Sequence, residues 1–384
     1  MVILDLYSEE SPVWSWYALN DNYGKGAFGS SPYFGVDFIW NMLHNFGGRA
    51  GLFARLPAVA SWPAAALKTV ESLPDSANKR QMVGVGLTPE AIETSPVAYD
   101  LMMENTWRAG SGGEVAELDT WIQGYAARRY SGSLSPAVGE AWSILQRTVY
   151  GHNVPCAITK TGQCPTYKEG TSGSVLAGRP AFAIAKVSCC DTTTLYYNAT
   201  ELETGFHLLL GAADAEGSTL GTQETYLYDL VTLAVQVISN RALEMLPQIE
   251  AAFRNSNAVA ELVTLTMAFE KLLTTADELL GTRRLFLMGR QLAAARKWGT
   301  GSALTSAGGA AGSGMCAISA AARSACVLAP GAPAPTTPLI CEANDCCFDH
   351  APAAGEIQCF AINVTDTQLY EWNARTQVRP EGRI

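Results

Sequence analysis

The stretch "VGVGLTPEAIE", residues 83–93, alternates apolar residues with glycine, turns at Pro89 and then presents Glu90. Short apolar runs of this kind bury as strands. Two upstream stretches share the character, "MVILDLY" (1–7) and "DFIWNML" (37–43). The first predicts a strand over Val2 to Tyr7. Between the second and third lies "GLFARLPAVASWPAAALKTVESL" (51–73), which predicts helical stretches broken by proline. Strand, helix and strand at this spacing predict parallel βα units. Three strands cannot close a barrel alone. Glu90 is then either a residue where the strand meets the surface or a catalytic carboxylate at the mouth of a barrel.

From about residue 112 the pattern becomes helical. Apolar residues recur at helical spacing in "EVAELDTWIQGYAARRY" (114–130) and in "SPAVGEAWSILQRTVYG" (135–151) after its Ser-Pro start. The stretches 224–246, 258–280 and 283–298 continue the pattern, which predicts at least six helices. The aromatics and leucines of these helices read as core. Residues 299–315 are rich in Gly, Ala and Ser, the composition of a flexible linker. Six cysteines follow between 316 and 359.

The whole-chain composition excludes several function classes. With 384 residues the chain is long enough for more than one domain, and 48% hydrophobic with 16% charged residues describes a globular protein. A net charge of −10 without a Lys/Arg cluster argues against a nucleic-acid surface. No run of apolar residues is long enough for a transmembrane helix. The start, "MVILDLYSEE", is too short and turns acidic too early for a signal peptide. The four histidines lie far apart, so no metal site and no cofactor are expected. The ten cysteines cluster from residue 156 onward, and two sequons, at Asn198 and Asn363, sit near the clusters. Together they predict glycosylation and an oxidising, secretory-route compartment.

The stretches "ILDLYSE", "FIWNMLHNFGG", "MVGVGLTPEAIE", "VAYDLMMENTWR", "YAARRY" and "AWSILQRTVYG" resemble family 89 of the glycoside hydrolases, the α-N-acetylglucosaminidases. Weaker matches run through "LYYNATEL", "YDLVTLAVQVISNRA" and "FLMGRQLAAAR" to "LYEWNAR". The resemblance covers nearly all of the chain except about 300–362. It implies the last strands of a (β/α)8-type barrel followed by an all-helical domain, an α/β plus all-α chain that starts late in the barrel. The expected division assigns residues 1–111 to the barrel, 112–300 to the helical domain, 301–315 to a linker, 316–361 to a cysteine module and 362–384 to a return to the helical domain.

The resemblance also implies that Glu90 is the nucleophile of a retaining mechanism. Such a mechanism holds two carboxyl groups about 5–5.5 Å apart, one attacking the anomeric carbon and one protonating the leaving oxygen. In the family the acid sits on an Asn-Glu pair upstream of the segment matched by "ILDLYSE", so its counterpart is expected outside these residues. Asp5 and Glu9 read as local hydrogen-bond partners rather than as a substitute acid. "FIWNMLHNFGG" supplies further candidates. Trp40 either offers a flat face to a pyranose ring or belongs to the core. His44 and Asn45 can hydrogen-bond sugar hydroxyls or the N-acetyl group, unless His44 is a structural histidine. Ala91 and Arg49 depart from the family pattern, which bears on site geometry.

"CEANDCCFD" (341–349) has the C-x4-C-C-aromatic form of a trefoil (P-type) module. Six cysteines allow fifteen pairings, and a zinc knuckle is the other reading of such a cluster. The trefoil resemblance implies Cys316–Cys347, Cys326–Cys346 and Cys341–Cys359. Gln358 stands where that pattern has tryptophan, so a structural insert is expected ahead of a glycan-binding one. Two functions follow. One is an exo-acting hydrolase of terminal α-linked N-acetylglucosamine, lysosomal or extracellular, acting on carbohydrate, with a homo-oligomer allowed. The other is a non-catalytic glycan-binding protein carrying a trefoil.

Overall fold

A computed structural model describes residues 1–10, 12–14, 33, 36–44, 51–72, 81–89, 95–109, 117–132, 134–152, 175–178, 194–215, 217–289, 347–348 and 359–360. The chain divides into two compact units, Met1–Ala276 and Asp277–Ile384.

The first unit begins with strands β1 (Val2–Asp5), β2 (Asp37–Met42) and β3 (Met82–Leu87). They form one parallel sheet in the order β1-β2-β3, as the strand–helix–strand spacing predicts. β1 stops at Asp5, earlier than its apolar run suggests, and Leu6–Glu10 turn over the sheet's end. The central strand is the buried one, with Phe38, Trp40 and Met42 all within 1% of full burial. The glycine alternation in β3 has a local reason at Gly86. A Cβ there would run into the Asn41 side chain, which is itself buried and donates from Nδ2 to Ile39 O at 3.0 Å.

Helix α1 (Leu56–Glu71) follows β2. Its buried Leu56, Val59, Pro63, Ala66 and Val70 recur every three or four residues, the stripe that seats a helix on a sheet. The sequence predicts a break at proline here, yet the helix runs straight through Pro63. Proline has no N–H for the carbonyl four residues back. That carbonyl is Val59 O, and it accepts instead from Asn105 Nδ2 at 2.5 Å. Asn105 lies on α2 (Pro96–Ala109), so the bond that proline removes from one helix is supplied by the next.

The helices that follow are α3 (Leu118–Arg129), α4 (Pro136–Arg147), α5 (Ala199–Ala213), α6 (Glu224–Arg254) and α7 (Val259–Gly281). α4 starts as its Ser-Pro sequence predicts: Ser135 Oγ accepts from Val138 N at 3.3 Å and Pro136 occupies the first turn. Asn198 caps α5 by accepting from Thr200 N and Glu201 N. Gly205 lets α5 close on α4, because a Cβ there would meet Ile144 Cγ2 at 2.9 Å. An aromatic chain forms the core, with Trp121 stacked on Tyr125 at 5.3 Å, Tyr125 edge-on to Trp142 at 5.1 Å, and Tyr130 edge-on to Tyr226 at 5.6 Å. Asp229 on α6 accepts from Arg129 Nε at 2.5 Å, Arg129 Nη2 at 2.8 Å and Tyr130 Oη at 2.8 Å. Five α-helices are described here against the at least six expected; in the stretch 283–298, Arg284–Phe286 form a 3-10 turn and residues 290–298 lie outside the described residues. No described helix is long and apolar enough to cross a membrane.

In the second unit, β4 (Cys347–Phe348) pairs antiparallel with β5 (Cys359–Phe360), Cys347 opposite Phe360 and Phe348 opposite Cys359. Cys316, Cys326, Cys341, Cys346 and Asn363 lie outside the described residues.

Candidate functional site

In parallel α/β sheets, ligands bind where the strands end at their carboxyl side. Here the three ends are tied together. Ser8 N, just after β1, donates to Asn41 O at 2.9 Å. Thr88, just after β3, donates from its backbone N to Met42 O at 3.0 Å and from Oγ1 to Leu6 O at 2.9 Å. One threonine, two residues before Glu90, therefore ties the end of β3 to the ends of both β2 and β1. Glu90 itself lies outside the described residues, as does Asn45.

The carboxylates after β1 are engaged with the protein, as the sequence reading expects. Asp5 Oδ2 accepts from Trp14 N at 3.0 Å. Glu9 accepts from Leu43 N at 3.0 Å (Oε1) and 3.2 Å (Oε2) and from His44 N at 2.7 Å. Burial pushes the Glu9 carboxyl up to about 7, against the opposing pull of those N–H groups and of Arg55. Glu10 forms a buried ion pair with Arg55 at 2.6 Å.

His44 has φ 60, a left-handed conformation that costs a non-glycine residue energy. Its ring is buried, stacked on Phe53 at 5.9 Å and edge-on to Tyr99 at 5.1 Å. Phe53 in turn meets His152 at 5.6 Å and Tyr196 at 6.1 Å, with the Arg55 guanidinium 5.7 Å from its centroid. Sequence reasoning did not find Phe53, Tyr99, His152 or Tyr196. They come from four distant segments, and no local pattern marks them as neighbours. Trp40, for which the sequence leaves a sugar platform and a core position open, is buried at 1% exposure among the core residues.

Two family models match the chain. The model described as the alpha-N-acetylglucosaminidase (NAGLU) tim-barrel domain covers residues 1–109, and that of the NAGLU C-terminal domain covers 121–315. The chain belongs to the alpha-N-acetylglucosaminidase family. It is a tim-barrel portion followed by a helical C-terminal domain. It is 31% identical over 296 residues to the alpha-N-acetylglucosaminidase of Homo sapiens, a match covering 77% of this chain and 34% of that protein. Among solved structures it is similar to a family 89 glycoside hydrolase from Clostridium perfringens. One such structure carries two Glu→Gln substitutions and is in complex with its substrate GlcNAc-alpha-1,4-galactose. It matches at TM-score 0.60 and 29% identity, over 75% of this chain and 28% of that one. Another, in complex with 2-acetamido-1,2-dideoxynojirmycin, matches at TM-score 0.59 and 29% identity, over the same shares. The chain thus spans about a third of the length of the curated relative it matches.

Proposed function

We propose that this family member carries the nucleophile-bearing region of a retaining exo-glycosidase that releases terminal α-linked N-acetylglucosamine from glycans. The observation that supports it best is the joined set of strand ends, where Thr88 and Glu9 organise the segments leading to Glu90 and Asn45. Glu90 is the nucleophile. Its carboxylate attacks the anomeric carbon while the aglycone oxygen takes a proton from a second carboxyl group, and water then hydrolyses the glycosyl ester. No residue of this chain is assigned as that acid, because Asp5 and Glu9 already accept backbone N–H groups. Asn45 hydrogen-bonds the sugar's hydroxyls or N-acetyl group, and His44 anchors the segment that carries it.

The test joins the chain to the N-terminal barrel region of a family member. Glu90→Gln should lower turnover of an aryl α-N-acetylglucosaminide by several powers of ten without changing the far-UV circular dichroism. Activity near that of the parent would reject Glu90. An upstream reading frame with no further βα units would favour the non-catalytic glycan-binding alternative.

The proposed division keeps 1–111 as barrel, 112–300 as helical domain, 301–315 as linker, 316–361 as a trefoil-like insert and 362–384 as its return. The antiparallel pairing of Cys347–Phe348 with Cys359–Phe360 supports a compact cysteine module. Its bridges are proposed as Cys316–Cys347, Cys326–Cys346 and Cys341–Cys359, which non-reduced peptide mapping would confirm or replace. A secretory route, lysosomal or extracellular, goes with them. So does glycosylation at Asn198 and Asn363, read by the mass of the glycopeptides. Asn198 is exposed, and its Oδ1 can cap α5 while Nδ2 carries a glycan.

A further inference from the structure

We propose that Glu9 is a positioning residue, whose carboxylate spans the Leu43 and His44 N–H groups and fixes the left-handed backbone of His44 just beyond β2. β2 ends at Met42, whose carbonyl takes the last ladder bond, from Thr88 N at 3.0 Å. The next two N–H groups, of Leu43 and His44, have left the sheet, and both are buried with their residues. Buried N–H groups need acceptors. A carboxylate 34 and 35 residues earlier supplies them, at 3.0 and 2.7 Å.

A second observation points the same way. His44 is neither glycine nor asparagine, and at φ 60 it holds a conformation that persists only where its surroundings impose it. The impositions are visible. Glu9 grips its backbone, and Phe53 and Tyr99 grip its ring. Glu9 is only 2% exposed, and beside it the Glu10–Arg55 pair locks the other half of the turn after β1 against the segment that carries Phe53. Backbone and ring of one residue are thus fixed by two independent sets of contacts. His44 is thereby held in one conformation, and Glu9 acts through it. The inference rests on the glycosidase reading only for what the segment then contacts.

The experiment uses the full chain, with amide hydrogen exchange and proton shifts followed by NMR. In Glu9→Met, which keeps the length and removes the acceptors, protection at Leu43 and His44 should fall roughly tenfold or more, while Ile122 and Leu145 keep theirs. Glu9→Gln retains one acceptor oxygen. Above pH 7, where the parent's Glu9 carboxyl is ionised, this variant should keep most of that protection and move both amide protons upfield as the charge-assisted bonds weaken. If Glu9→Met does not fold, Glu9→Gln decides the matter, and unchanged shifts at both amides overturn the proposal. So does unchanged protection at Leu43 and His44 in a folded Glu9→Met, or an equal loss of protection everywhere. In a second arm the chain, joined to a barrel region as in the turnover test, is titrated with 2-acetamido-1,2-dideoxynojirmycin. Binding that weakens about tenfold in Glu9→Met supports positioning toward a sugar, and binding of equal strength removes that role. Absence of binding to the joined parent protein counts against the glycosidase reading, and the exchange results still decide the role of Glu9.

Discussion

The helical region and the strand region of the first unit satisfy their polar and apolar groups in different ways. Between α3 and α6 the aromatic chain is closed on itself. Trp121, Tyr125, Tyr130, Trp142 and Tyr226 are all at most 4% exposed, and the Arg129–Asp229 pair seals its side. The sheet is complete only at its middle and at its carboxyl end. β2 is buried, whereas the outer strands leave Val2, Leu4 and Val83 about half exposed, and Leu6 just beyond β1 likewise. Parallel sheets are ordinarily covered on both faces. The difference teaches that the helices close their core among themselves, while the sheet's order is concentrated where Thr88 and Glu9 tie the strand ends together.

Breaking the helical side should have the largest effect. Asp229→Ala would leave the Arg129 guanidinium buried without its carboxylate and the Tyr130 hydroxyl without its acceptor. A loss of about 3–5 kcal/mol is expected in urea unfolding. A loss below about 1 kcal/mol would show that the helical core does not depend on this pair.

At the strand ends the expected effect is a pH dependence. Burial raises the Glu9 carboxyl from 4.5 to about 7, so between those values the folded protein holds a proton that the unfolded chain has released. The stability contributed by this group is therefore fully present below pH 4.5 and is lost as pH rises through about 7. Glu9→Gln should remove that slope, a change of a few kcal/mol at most, so the difference in melting temperature between the two proteins should vary across this window. Parallel pH profiles would refute it.

A smaller loss is expected within the strand region, where its two helices α1 and α2 share one bond. Asn105→Ala would strip Val59 O of the donor that replaces the missing N–H of Pro63, costing about 1–3 kcal/mol. Pro63→Ala in that background should recover some of it, because the helix then supplies its own bond. The smallest effect on stability is expected at the open edge. Leu4→Lys should leave the melting temperature within a few degrees while reducing self-association in sedimentation. An exposed apolar edge strand invites pairing, and a lysine discourages it.

The amino-acid sequence by itself determined the three strands and the helices α3, α4, α6 and α7 in their order, while α2 and α5 carry no such local mark. Glycine alternation and apolar runs in short windows announce β1 to β3, and the Ser135-Pro136 start announces α4, because these signals are local to the backbone that obeys them. It also marked Glu9 as a carboxylate engaged with its own protein. The tertiary structure alone decided which face each side chain meets. Trp40 reads equally as a platform or as core until the packed core closes over it to 1% exposure. Pro63 reads as a helix breaker until Asn105, 46 residues from Val59, brings the missing donor. The aromatic setting of His44 draws on Phe53 and Tyr99, and that of Phe53 on His152 and Tyr196. Propensity and periodicity are written within a few residues, whereas burial and hydrogen-bond partnership depend on surfaces that meet only when distant segments pack.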